Sequence, residues 1–254
     1  MPKWDPQQYL RFERERTQPC IDLVNRIEVD DVSYAVDLGC GPGNSTEVLA
    51  RRFPAAKVLG LDNSPAMIER AKRDRPSISF DVADASTWTS DRPCDVILSN
   101  AVFQWIDRHA ALLPRLLNQL RPGGVLAVQM PRNFQSPTHQ ILRRVATSPR
   151  FASTLTAREP YWVKSPADYY DLLAPIAASV EIWETEYIHA MPDHDAIIEW
   201  YRGTGMRPYL EALDADEQLA FVDAIKQQLV EAYPKQTDGR VLFPFLRIFF
   251  VARK

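Results

Sequence analysis

Three glycines at alternating positions, Gly39, Gly41 and Gly43, follow an apolar run that closes at Asp37, in the stretch VDLGCGPGNST. A backbone bare of Cβ atoms lets the chain turn sharply and come close to a ligand. It also aims the N–H groups of the next helix at that ligand. Asn44, Ser45 and Thr46 then each offer a side-chain oxygen that can cap a first helical turn. The stretch therefore predicts a strand, a close-approach turn and a helix, the opening unit of an open α/β sheet.

The same rhythm runs on to residue 131. Short β-branched runs at 33–38, 57–62, 78–83, 94–100 and 124–130 predict strands, and amphipathic segments at 44–53, 64–74 and 108–120 predict helices between them. The third helix should end at LRPGG, where Pro122 cannot continue it and two glycines permit the turn into the next strand. After Pro131 the rhythm breaks. Residues 133–178 read as a helical insertion, 180–189 alternates like a strand, and 245–254 is a nearly continuous apolar strand. A second helical block, 193–233, lies between those two strands. Its last helix shows Asp214 and Glu217 at capping-box spacing, with Val222, Ile225, Leu229 and Tyr233 on one face. The predicted organisation is a helical arm at 1–30, an α/β core at 31–132, a lid insertion at 133–178, and a closing segment, 179–254, that carries a second lid insertion at 192–235. The fold class is α/β, a doubly wound and mostly parallel sheet.

Charge and composition exclude several functions. A net charge of -3 over 254 residues, with no cluster of Lys and Arg, gives no footprint for nucleic acid. No run approaches the ~18 apolar residues of a membrane span, and MPKWDPQQYL lacks the apolar core of a secretion signal, so a cytoplasmic protein is expected. Cys20, Cys40 and Cys94 have no disulfide or zinc spacing, and His109, His139, His189 and His194 form no HExxH, so no metal is expected. No GxSxG elbow occurs, and Cys40 reads as a small core residue.

The glycine spacing is G-x-G-x-G, not the G-x-G-x-x-G of pyrophosphate loops, and Asp37 would repel a phosphate. A carboxylate there suits a positive group. Asp62 closes the second strand near the ~20-residue offset at which an acid accepts bonds from ribose hydroxyls. Asp84 follows the third strand, where it or a neighbouring N–H can meet an adenine edge. The expected guest is a nucleoside joined to a cation.

The set VDLGCGPG, GLDNSP, ADAS, SNAVFQW and LRPGGVLAVQMP resembles the class I S-adenosylmethionine-dependent methyltransferases, in that chain order. The resemblance implies a Rossmann-like sheet of seven strands with the last antiparallel, and S-adenosyl-L-methionine as cofactor. It implies that Asp37 with Gly39, Gly41 and Gly43 holds the methionine end, Asp62 with Asn63 the ribose, and Asp84 with Ala85 the adenine, while Asn100 lies near the sulfonium. Over most of its length, including WDPQQYLRFERERTQP, HAMPDHDAIIEWYRGTGMRPYL and IFFVARK, the chain resembles the branch of that family that esterifies a carboxylate of trans-aconitate.

A carboxylate is already a nucleophile, so no catalytic base is expected. Arginine forks are sought for the acid. The substrate candidates are Gln104, Trp105, Arg207 and Arg247, with Arg132 and Arg202 behind them. Arg247 interrupts an apolar strand, and Arg207, before a proline, should have extended backbone and a side chain free to enter a cleft. Trp200 and Tyr201 read as core. Trp4, Tyr9 and Phe12 belong to the N-terminal arm, for which the resemblance suggests closure over the cofactor; Arg16 reads as a helix-surface residue, with reach to the methionine carboxylate as the alternative. Three other functions share the scaffold: methylation of another metabolite, a nicotinamide-dependent dehydrogenase, and a non-catalytic cofactor-binding module.

Overall fold

The computed structural model of the protein describes residues 13–155 and 162–254. Trp4, Tyr9 and Phe12 lie outside the described residues. After α1 (Glu13–Asn25), the chain alternates β1 (Tyr34–Leu38), α2 (Asn44–Arg52), β2 (Lys57–Asp62), α3 (Pro65–Asp74), β3 (Ser79–Val82), β4 (Cys94–Asn100), α4 (His109–Asn118) and β5 (Leu120–Pro131). There follow α5 (Pro137–Ala146), α6 (Pro166–Leu173), β6 (Ser179–Met191), α7 (His194–Arg202), α8 (Arg207–Leu210), α9 (Ala215–Ala232) and β7 (Val241–Arg253). The strands form one seven-stranded sheet in the order β3-β2-β1-β4-β5-β7-β6. β1 to β5 pair in parallel, and β7 runs antiparallel to β5. This is the doubly wound, Rossmann-like sheet expected, with its reversal of strand order beside β1.

Two boundaries depart from expectation. The fourth helix stops at Asn118, and β5 is already paired at Leu120 with Cys94, with a register shift before Val125 pairs with Val96. LRPGG is thus an irregular start to a strand, because its backbone still has a partner in β4. β7 likewise begins four residues before the apolar run at 245–254, since Val241 and Phe243 are fully buried.

The chain divides into two compact units. One comprises Arg16–Pro131, Tyr161–Thr185 and Arg247–Lys254. Its core joins Val36, Leu38, Ile97, Leu126 and Val128 of the sheet to Leu113, Leu116 and Leu117 of α4 and Tyr169 and Leu173 of α6. The other is built mainly from Arg132–Pro160 and Glu186–Leu246. There Ile141, Leu142 and Val145 of α5 pack with Ile197 and Trp200 of α7, with Phe221, Ile225 and Leu229 of α9, and with Phe243. The Asp214 carboxylate accepts from the Glu217 N–H at 2.9 Å, so α9 is capped where its sequence indicates. Trp200 and Tyr201 are core residues, 3% and 2% exposed. Among the described residues no helix is long and apolar enough to cross a membrane, and no group of His, Cys, Asp and Glu is placed to hold a metal ion. The three cysteines are free and buried.

Asp95 ties β1 to β4 at their starts. Its Oδ2 accepts from Ser33 N (2.8 Å), Ser33 Oγ (2.9 Å) and Tyr34 N (2.8 Å), and Arg121 pairs with Oδ1. Burial pushes its carboxyl up, but the Arg121 pair and these donors outweigh that and hold it below the usual carboxylate range. Replacing one member of such a network leaves buried donors unmet. Asp95→Ala is expected to lower stability by about 3 kcal/mol, read as a shift of the urea midpoint.

Candidate functional site

The glycine loop leaves β1 at Leu38, and Gly39, Gly41 and Gly43 all have positive φ (77°, 54° and 95°). The N–H groups of Gly39 and Cys40 donate to Leu61 O at 2.7 and 2.9 Å, pinning the turn to the end of β2. The glycines serve different ends. A Cβ on Gly39 would lie 2.2 Å from a methyl of Val102, and one on Gly43 2.9 Å from the Phe80 ring. At Gly41 a Cβ would meet nothing within 4 Å. Only Gly41 presents its bare backbone to open space; the other two are required by packing inside the protein.

Asp62 secures that opening. Its Oδ2 accepts from Gly41 N at 2.9 Å and its Oδ1 from Ser64 N at 2.9 Å. Each carboxylate oxygen keeps a lone-pair direction for a ligand hydroxyl. Arg75, which the sequence did not single out, braces the loop: it donates to Pro42 O (2.9 Å), Asn44 Oδ1 (3.0 Å) and Glu47 Oε2 (2.9 Å). Asn63, next to Asp62, is exposed.

Asp37 is fully buried. Ser45 Oγ and Thr46 Oγ1 donate to its Oδ2 at 2.6 and 2.7 Å. Among the described residues its Oδ1 has no hydrogen-bond partner. None of Asn44, Ser45 and Thr46 caps α2, whose N-cap is Gly43 in the left-handed region without a side-chain bond. The hydroxyls are taken by the acid, which needs them more because it is fully buried. Burial pushes the Asp37 carboxyl up to about 6; the two hydroxyls pull it down and the nearby Asp62 charge pushes it up further.

Asp84 lies exposed after β3, and its Oδ1 accepts from Ser86 N at 2.8 Å. Its own carbonyl accepts from Trp88 N at 2.8 Å, and Ala85 is 9% exposed. Arg115 of α4 holds this loop by donating to Ala85 O (3.1 Å), Ser86 O (2.7 Å) and Trp88 O. Nothing in the spacing of Arg115 signals that role.

The sheet register aligns a polar row on one face. Asp37 stands beside Leu98, Leu98 beside Ala127, Asn100 beside Gln129, and Pro131 beside Arg247. Side chains alternate with period two along a strand, so Asp37, Asn100, Gln129 and Arg247 share a face across the neighbouring strands β1, β4, β5 and β7. Gln129 is 0% exposed and Arg247 5%, and Arg247 Nη1 donates to Gln129 Oε1 at 3.4 Å. Asn100 Oδ1, Gln129 Nε2 and Gln104 Oε1 are buried without a hydrogen-bond partner among the described residues.

The Gln104–Trp105 turn follows β4 through Ala101, whose φ is 58°. Gln104 Nε2 donates to Ala101 O at 2.7 Å, whereas Trp105 is 46% exposed. The buried His109 ring fixes the turn, with Nε2 2.9 Å from Phe103 O and Nδ1 2.8 Å from the Tyr169 hydroxyl. Burial lowers its pKa, which fits a neutral ring that donates through Nε2–H and accepts at Nδ1.

A family model described as a methyltransferase domain matches residues 35–124, the span from β1 into β5. The trans-aconitate 2-methyltransferase of Methylobacterium radiotolerans is 50% identical over 258 residues, covering 100% of this chain and 99% of that protein. The enzyme of the same name from Shigella flexneri is 44% identical over 254 residues, covering 100% and 99%. The chain belongs to the trans-aconitate 2-methyltransferase family. Two solved structures share its fold: the YcgJ protein from a Bacillus, with a TM-score of 0.60 at 13% identity over 93% of this chain and 98% of that one, and the phosphoethanolamine N-methyltransferase 2 of Haemonchus contortus in complex with S-adenosyl-L-methionine, with a TM-score of 0.55 at 19% identity over 93% and 52%. Membership in a methyltransferase family sets aside the nicotinamide-dehydrogenase reading.

Against that family background, the residues named from sequence fall into two groups. Asp37, the glycines, Asp62, Asn100, Gln104, Trp105 and Arg247 belong to one compact unit, as do Asn63, Asp84 and Ala85. Arg132, Arg202 and Arg207 belong to the other. Arg207 is not in extended backbone. It opens α8, with Pro208 in the first turn where a missing N–H costs nothing, and its Nε pairs with Glu211 at 2.7 Å. Arg202 pairs with Glu199 at 2.8 Å within α7.

The donor set fits a cationic nucleoside. Open space over Gly41, a buried Asp37 oxygen without a partner, and three carboxylates at strand ends favour ammonium and hydroxyl groups and oppose phosphate. Two substitutions separate packing from ligand approach. Gly39→Ala should destabilise the protein sharply through the Val102 overlap, and Val102→Ala should restore part of the loss. Gly41→Ala should cost about 1–2 kcal/mol from its left-handed φ yet weaken binding of S-adenosylhomocysteine at least tenfold; thermal melts with and without that ligand distinguish them.

Proposed function

We propose that this chain transfers a methyl group from S-adenosylmethionine to a carboxylate of trans-aconitate. End-to-end similarity to enzymes of that name supports the reading, and the observation in the structure that carries it is the polar row with a buried acid at one end and a buried guanidinium at the other. When bound, the cofactor supplies an electrophilic methyl on a positive sulfur. Asp37 accepts from the amino group of its methionine end beside the bare backbone of Gly41. Asp62 and Asn63 meet the ribose hydroxyls, and Asp84 with Ala85 borders the adenine. Asn100 lies nearest the reacting centre, and Gln104, Trp105 and Arg247 orient the acid. The attacking oxygen is already ionised, so no side chain has to take up a proton. The protein's task is alignment, which supplies up to about 7–11 kcal/mol in well-oriented reactions.

The deciding experiment incubates the protein with methyl-labelled cofactor and a panel of di- and tricarboxylic acids. A base-labile ester on trans-aconitate is expected; an alkali-stable product, or none, overturns the reading. Asp37 adds a pH dependence. Its carboxyl sits near 6 before a ligand binds, and a cationic ligand requires the ionised form. Affinity for S-adenosylhomocysteine should therefore be flat above neutrality and fall as pH drops below about 6, approaching tenfold per unit. In Asp37→Asn the affinity should be at least tenfold weaker at pH 7.5 and this pH dependence should vanish, as calorimetric titration would show.

A further inference from the structure

We propose that Gln129 is a substrate-positioning residue whose side-chain N–H groups donate to the carboxylate that receives the methyl group. The inference rests on the carboxyl-methylation reading above and identifies what in the site selects a carboxylate. The orientation of the amide follows from its neighbour. Arg247 has donors only, so the Gln129 atom facing its Nη1 is the carbonyl oxygen, and the NH2 group points elsewhere. That NH2 is buried on a residue of 0% exposure and has no hydrogen-bond partner among the described residues. Folded proteins seldom leave such donors unmet, and a buried one without a partner asks for an explanation such as a ligand.

Its place in the row says which ligand. On the Asp37 side the orphaned atom is an acceptor, Asn100 Oδ1; on the Arg247 side it is a donor, Gln129 Nε2. The polarity changes between adjacent strands, at the register pair of Asn100 with Gln129. A cationic centre is suited to the first and an acceptor-only group to the second. A carboxylate accepts at both oxygens and donates at neither, so it matches the Gln129 donors, and the Arg247 bond to Oε1 keeps them facing one way. An alcohol or amine nucleophile would bring donors of its own and match less well.

Two variants test this, each assayed for the KM and kcat of trans-aconitate and for S-adenosylhomocysteine affinity. Gln129→Glu keeps an acceptor for Arg247 but places an anion where the donors were; KM should rise at least 100-fold. Gln129→Met keeps the length and removes the donors; KM should rise about tenfold with kcat less affected. Cofactor-product affinity should stay within twofold in both, which a structural disturbance of the cradle would not allow. A KM within twofold of wild type in either folded variant, or a loss of S-adenosylhomocysteine affinity parallel to the rise in KM, overturns the role of Gln129 alone. Wild-type protein that methylates no carboxylic acid overturns the function reading and this inference together.

Discussion

A carboxylate sealed inside the sheet is the constraint around which the cofactor half of this protein is arranged. Asp37 sits on a strand buried along its whole length, where an ion without partners would be expelled or neutralised. Two hydroxyls from the first turn of α2 meet one of its oxygens. That bond pair fixes where the helix starts relative to the strand, so the five residues between must make a tight loop. From this follow the three positive φ angles, the two glycines forced by Val102 and Phe80, and the single glycine left open. Burial raises the carboxyl to about 6, and among the described residues its second oxygen has no hydrogen-bond partner.

Around this centre the loops are held by side chains that touch no part of the cradle's open face. Arg75 grips the back of the glycine loop, Arg115 threads the carbonyls after Asp84, and His109 holds the turn carrying Gln104. Each uses donors against backbone carbonyls, the groups a loop exposes when it leaves its strand. Loops fixed in this way present their open groups to a ligand with little conformational freedom left to lose, which preserves more of the binding energy.

Local patterns carried most of the fold. β2 and β4 begin and end at the residues expected, because apolar runs bounded by charge and turn residues leave little ambiguity. Errors came where a tertiary partner overrode a local preference. LRPGG looks like a turn but finds a neighbour in Cys94, and Ser45 and Thr46 look like caps but serve Asp37. Arg207 departs for a local reason: it opens a helical turn in which Pro208 occupies a position where its missing N–H costs nothing. The acids of the cradle were legible since each stands within two residues of a strand's C-terminal end. Gln129 was not, because a single amide inside GVLAVQM does not disturb a strand pattern, and its meaning lies in register: only pairing shows that it stands between Asn100 and Arg247. The signal available was a polar side chain at the inward phase of an apolar strand.

The distribution of charge along the row suits the proposed chemistry in a way that its members singly do not. Asp37 and Arg247 lie three strands apart and four residues offset along them, since the register from Asp37 runs through Leu98 and Ala127 to Val251; at ~4.8 Å per strand and ~3.3 Å per residue this is roughly 20 Å. At that separation their attraction is only about 1 kcal/mol for an effective dielectric near 20. They do not quench each other, and each keeps its field for a ligand group of opposite sign. The two positions between them carry neutral amides. Transfer from a sulfonium to a carboxylate removes one positive and one negative charge at the reacting atoms. A centre lined by fixed charges would stabilise the reactants it is meant to discharge, whereas neutral dipoles in a buried setting hold the reactants in line and lose little when their charges disappear. The permanent charges of the two ligands, an ammonium at one end and the remaining carboxylates at the other, survive the reaction, and the acid and the guanidinium stand at the ends of the row where those charges would lie.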